Sequence, residues 1–204
     1  YSSESVGTIT FPAMSEVKSD RERMLDLGLK AETLIAYLSL GLLGWLYVAS
    51  EPLILTLIGP KWLQSVEMFK ILCLSGFAYP ISAATLSMLK AAGYSGSFFK
   101  VEVWKKVVGL AGFVIGFYFG IKGYLISLII TGVISVWLNM YFTGKALGIT
   151  VRHQLLPILP YLFISITAVL LSYWILKFIQ IPVISLMVVS FLFAVKMSFD
   201  FTKL

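Results

Sequence analysis

Of 204 residues, 59% are hydrophobic, 15% aromatic and only 13% charged, and the mean hydropathy is +0.93. That is more apolar surface than a soluble domain of this length can bury in one core. The net charge of +6 would suit a nucleic-acid surface, but the basic residues sit at the ends of apolar runs, not along one polar face, which argues against that partner. One cysteine and one histidine provide neither a disulfide framework nor a metal-binding cluster. The composition therefore places the chain in a bilayer, with no cofactor and no metal expected.

The chain opens on Tyr1 without an initiator Met or a charged leader, and it reads as the internal or C-terminal part of a longer protein. Residues 6–14 look like the last turns of a membrane helix. The apolar run then breaks off in "FPAMSEVKSDRERM", residues 11–24, where Ser19 and Glu22 have the spacing of a capping box that starts a short charged helix.

Runs free of Asp, Glu, Lys and Arg follow at 33–50, 71–89, 107–121, 123–144, 153–176 and 178–195. A charge at the bilayer centre costs roughly 2.5–3.5 kcal/mol, so such runs are the cleanest spanning signal. Each is near the roughly 20 residues a crossing needs, except 107–121. That one reaches the length if it starts at Val101 and Lys105 and Lys106 snorkel. Pro52, Gly59 and Pro60 end the first span, "GIKG" at 120–123 turns the third into the fourth, and Pro157, Pro160 and Pro182 open the fifth and sixth. The expectation is all-α: a polytopic bundle of six spans. Residues 1–30 form a helix end plus elbow, 31–150 four membrane helices, and 151–204 two further ones.

When the connecting segments are assigned alternately to the two sides, Lys61, Lys70, Lys122 and Lys177 fall on one side and the other twelve basic residues on the other. By the positive-inside rule the richer side is cytoplasmic, so both ends of the sequence and the 11–24 elbow face the cytoplasm.

Three segments are more specific than the topology. "FPAMSEVKSDRERM", then "ASEPLILTLIGPKW" at 49–62, then "LKAAGYSGSFFKVEVWKKV" at 89–107 resemble, in order and spacing, the C-terminal half of the polysaccharide transporter family. These are the O-antigen and exopolysaccharide flippases of the multidrug/oligosaccharidyl-lipid/polysaccharide exporter superfamily. Phe11, Pro12, Ser15, Asp20 and Arg21 match the family's cytoplasmic elbow, and Glu51, Pro52, Gly59 and Trp62 its outer segment. The resemblance covers residues 6 to about 150. It implies the second lobe of a two-lobe, inverted-V exporter in a bacterial inner membrane. Its substrate would be an undecaprenyl-pyrophosphate-linked oligosaccharide, moved by alternating access. Membrane lipid and other polysaccharide-assembly proteins are the implied partners.

Several features have both a transport reading and a plainer one. Gly109, Gly112, Gly116 and Gly120 share a face of the third span, as static packing or as a sliding surface. Ser127, Thr131, Ser135 and Asn139 recur at i+4 on the fourth, able to bind sugar hydroxyls or to tie helices together. Pro80 in the second span is a kink and a hinge candidate. Lys100, Lys105 and Lys106, with Trp104 among them, could meet a pyrophosphate or merely anchor the helix end. Arg152 and His153 invite the same two readings.

No carboxylate is expected deep in a span, Glu32, Glu51, Glu67 and Glu102 being placed at edges. Nothing resembles a nucleophile with its base or a phosphate-cradling loop, so no enzyme is expected. The alternatives are a drug or lipid II exporter of the same superfamily, which would more often carry a buried acid, and a membrane-embedded polysaccharide polymerase or ligase. The last would be expected to show a large outer loop carrying Arg or His.

Overall fold

A computed structural model describes residues 21–176 and Ser190. Its first helix, α1 (Arg21–Leu57), is 37 residues long, about 55 Å at 1.5 Å per residue. The charged segment after the elbow is therefore not a separate short helix. "RERMLDLGLKAETL" consists largely of good helix formers with no breaker before the apolar run, so it makes the first turns of α1. An exposed Lys30–Asp26 pair at 2.8 Å and i,i+4 spacing adds a few tenths of a kcal/mol there.

Pro52 does not end the span either. It is buried inside α1, which continues to Leu57, because one missing backbone donor is tolerated where neighbouring helices pack around it. The stop comes at Gly59, whose φ of 99° is open to glycine at no steric cost, before a 3₁₀ turn at Pro60–Trp62.

The second apolar run is two helices, α2 (Ser65–Gly76) and α3 (Ala78–Ala91). The break falls at Phe77, not at Pro80 itself, because a proline ring crowds the carbonyl four residues back. For Pro80 that residue is Gly76, the last of α2. α4 (Ser95–Tyr118) and α5 (Gly120–Leu147) follow. The turn between them is tighter than "GIKG" suggests: Gly120 takes φ 77°, and helix resumes there.

Gly148, with φ 68°, closes α5 in the left-handed conformation, the usual glycine helix stop. The fifth run is again two pieces, α6 (Val151–Leu155) and α7 (Leu159–Leu176). The Thr150 side chain caps α6 by accepting from the His153 backbone N–H at 3.2 Å. Pro157 lies between the two helices. The sixth run apart from Ser190, with Pro182, falls outside the described residues, as do Phe11, Pro12, Ser15, Ser19 and Asp20.

α1 packs against α2, α3 and α7, and α5 packs along α4 and against α2 and α3. The shared core is layered along α1. Met24 meets Met88 and Leu147 near one end. Ala36 and Leu40 meet Ile81, Met140 and Ile158 in the middle, and Val48 and Ala49 meet Ala168 near the other end. Outside this core, large apolar side chains stay exposed, among them Leu110, Phe117, Ile130, Leu170 and Trp174. That much uncovered apolar surface fits lipid, not water.

Arg21–Leu57, Ser65–Ala91 and Gly120–Leu147 are long and apolar enough to cross a membrane, and Leu159–Trp174 is a shorter apolar helix. No strand occurs among the described residues. The fold is an all-α, multi-pass membrane bundle.

Two contacts pin its opposite ends. Arg21 donates from Nη2 to the Leu147 carbonyl at 2.5 Å, setting a cation on the carbonyl-rich end of α5. Lys122, at the start of α5, pairs with Glu67 near the start of α2 at 2.7 Å. Gly148→Ala should lower the melting temperature of the detergent-purified protein by a few degrees. The left-handed backbone costs a side chain about 1–2 kcal/mol, and the new Cβ would come within 3.1 Å of Arg21 Nη2.

Candidate functional site

The i+4 polar stripe of α5 divides into two parts with different surroundings. Ser127, Thr131 and Ser135 each return the hydroxyl to a carbonyl of their own helix, at 2.7–2.8 Å. Ser127 and Thr131 also press on α4. A Cβ built on Gly112 would collide with the Thr131 methyl, and one on Gly116 would lie 2.6 Å from Ser127 Oγ and 2.8 Å from Tyr124 Cα. Of the four stripe glycines, Gly112 and Gly116 therefore let α4 and α5 approach. Gly109 has open space where a Cβ would go, and Gly120 serves the turn.

At Asn139 the stripe turns inward. Asn139 is fully buried and its Nδ2 donates to the Ser82 carbonyl of α3 at 3.4 Å. One turn further, Thr143 is also fully buried, extending the i+4 series beyond the point where the apolar run made it conspicuous. Glu32 of α1 is buried too, only 1% exposed. This corrects the expectation that no carboxylate lies deep. Glu32 immediately precedes a charge-free run, but α1 starts about three turns earlier, which carries the residue well inside the bundle.

Thr85 of α3 donates to Glu32 Oε1 at 2.7 Å and is shared with the Ile81 carbonyl at 3.0 Å. Among the described residues, Glu32 Oε2, Ser82 Oγ, Asn139 Oδ1, Thr143 Oγ1 and Gln154 Oε1 are buried without a hydrogen-bond partner. Gln154 comes from α6, and its Nε2 donates to the Met140 carbonyl at 2.9 Å. Glu32, Ser82, Thr85, Thr143 and Gln154 had no sequence motif to announce them. The signals present were the i+4 ladder Met24, Gly28, Glu32, Ala36, Leu40 and the continuation of the polar stripe to Thr143.

The lysine group is less uniform than its sequence spacing. Lys105 pairs with Glu102 at 2.9 Å, whereas Lys100 and Lys106 are exposed, as is Trp104. Arg152 and His153 lie exposed on α6. Between α1, α2 and α7 runs an apolar groove of about 350 Å³, lined by Leu43, Gly44, Phe77, Leu162 and Ile166 among others. It has the chemistry to hold an alkyl chain. No group of three or more His, Cys, Asp or Glu that could hold a metal occurs among the described residues.

A helical bundle with lipid-facing flanks encloses a buried polar layer, an arrangement that in a membrane marks a functional site. Residues 2–67 match the family described as "Polysaccharide biosynthesis protein". The chain is 23% identical over 167 residues to the "Lipopolysaccharide biosynthesis protein WzxC" of Escherichia coli (strain K12), covering 81% of this chain and 34% of that protein. It thus spans about a third of the length of the curated relative it matches. No solved structure matches. The chain is a multi-pass membrane protein similar to polysaccharide-biosynthesis membrane proteins, and the resemblance read from the elbow and outer segments stands.

Proposed function

We propose that this chain is part of a flippase that carries undecaprenyl-pyrophosphate-linked oligosaccharide repeat units across a bacterial inner membrane, for surface or exopolysaccharide assembly. The observation that carries this reading is the likeness to WzxC, which extends over 167 residues and is not confined to one motif. In this reading the end of the bundle holding Arg21 and Leu147 faces the cytoplasm. Lys100 and Lys106 meet the pyrophosphate there, and the groove beside Phe77 holds part of the lipid chain. Residues 31–150 belong to the second lobe, and 151–204 are additions at its edge. The two lobes rock to open the path inward and then outward, with Pro80 setting the flexible point of α2 and α3. No catalytic step is assigned to any residue.

One observation favours a second reading. A drug exporter of the same superfamily would carry a buried acid, and Glu32 is one. The carboxylate is fully enclosed by side chains, however, which suits a small ion better than a drug-sized cation.

The discriminating experiment is deletion of the gene in its host, followed by mass spectrometry of extracted lipids. The flippase reading expects a diphosphate-lipid-linked oligosaccharide to accumulate while surface polysaccharide is lost. Unchanged lipid-linked sugars would sink it and move the exporter reading forward.

A further inference from the structure

We infer that Glu32, Ser82, Asn139 and Thr143 form a binding site for a small monovalent cation, sodium being the ion to test, at the junction of α1, α3 and α5. The junction has a definite geometry. Met88 and Leu147 share a core layer, and Asn139 bonds to the Ser82 carbonyl at 3.4 Å. α3 and α5 therefore run side by side and in the same direction between these two points. Thr85 and Thr143 fall at the same level, halfway between. Glu32 reaches that level from α1, held by Thr85 at 2.7 Å. The apolar layer of Met24, Met88 and Leu147 lies beyond Thr85 and Thr143, and Ala36, Ile81 and Met140 pack at the level of Ser82 and Asn139.

The donor set points to an ion. Hydroxyls elsewhere in the bundle, at Thr33, Ser50, Ser87 and Thr131, return to carbonyls about a turn back. Ser82 and Thr143 do not, although a carbonyl one turn back is the usual partner for a helix hydroxyl. Their oxygens, with Asn139 Oδ1 and Glu32 Oε2, are four buried oxygens from three helices, without a hydrogen-bond partner among the described residues. Four buried oxygens without partners, spread over about one helix turn and one of them a carboxylate, are costly unless a cation takes them as ligands.

Hard oxygen donors without sulfur or imidazole select an alkali or alkaline-earth ion over a transition metal. A single carboxylate balances one positive charge, whereas a divalent ion would leave an uncompensated charge in a low-dielectric interior. Thr85, whose hydroxyl donates to Glu32, is a positioning residue and not a ligand.

The test is direct binding of radioactive ²²Na⁺ to the purified full-length protein in detergent, at pH 8 and without any transport substrate. It therefore stands apart from the flippase reading. Saturable binding of one ion per chain is expected, displaced by unlabelled sodium. Glu32→Gln, which keeps the shape, should abolish it. Thr143→Val, which leaves the carboxylate in place, should weaken affinity about tenfold, as loss of one bond to a charged group does. Both variants should elute as wild type in size exclusion. Absence of saturable binding by a well-folded wild type would overturn the site. So would unchanged binding in Glu32→Gln, or a response of the protein to acid alone with none to sodium.

Discussion

Replacing Gly116 by leucine should force α4 and α5 apart and cost the protein about 3 kcal/mol or more of stability, whereas the same change at Gly109 should cost almost nothing. The two positions lie on one helix and look alike in sequence. At Gly116 any side chain meets the Tyr124 backbone, with Cα 2.8 Å from the new Cβ, and Ser127 Oγ at 2.6 Å. Backbone cannot step aside as a flexible side chain can, so the overpacking penalty falls at the upper end of its usual range. At Gly109 there is nothing within 4 Å of a Cβ, and a leucine there would add apolar surface to a helix that already exposes Leu110 and Phe113 to lipid. Thermal unfolding of the two purified variants decides it. Equal loss at both sites would mean that the close approach of α4 to α5 is wrong. Gly112→Leu should fall between them, since what it meets first is the end of the Thr131 side chain.

The contrast shows what periodicity does and does not disclose. The i+4 and i+3 spacings of glycines and hydroxyls placed them on shared faces, because a helix has one geometry wherever it occurs. Which face meets a neighbour depends on how helices cross, and that is not written in the spacing. Thus Ser127 and Thr131 support close packing while Asn139 enters the core, although all belong to one stripe. The apolar runs located α1, α5 and the α2–α3 pair well, since exclusion of charge from the bilayer is a strong constraint. They failed at helix ends. Pro52 and the charges around Lys30 were read as boundaries, yet α1 runs through both, because a helix can continue into water or past a proline when packing favours it. Glu32 was misjudged for the same reason: a residue at the edge of a charge-free run need not be at the edge of the helix. Pro80 reads in sequence as a kink within one span, whereas the run is two helices with the break at Phe77, where the steric effect of the ring falls.

The lysines at the start of α4 allow the sharpest functional test, because the structure separates charges that the sequence groups together. Lys105 spends its charge on Glu102, whereas Lys100 and Lys106 are exposed and have no ion pair among the described residues. If these two receive a pyrophosphate, each supplies a charge-assisted bond of roughly 1.5–3 kcal/mol. Lys100→Ala with Lys106→Ala should then slow translocation of a fluorescent lipid-linked oligosaccharide in proteoliposomes by at least about tenfold, and Lys105→Ala by much less. A purely anchoring role predicts no such difference among the three. Positive-inside bias counts charges near the membrane regardless of partner, so all three lysines would then contribute alike, through orientation and not rate. Accessibility of a cysteine introduced at Gly96, which has open space around it, reports orientation in the same variants. Slowed translocation with unchanged accessibility would assign the pair to the substrate, whereas altered accessibility with a normal rate per correctly inserted molecule would return them to the membrane surface.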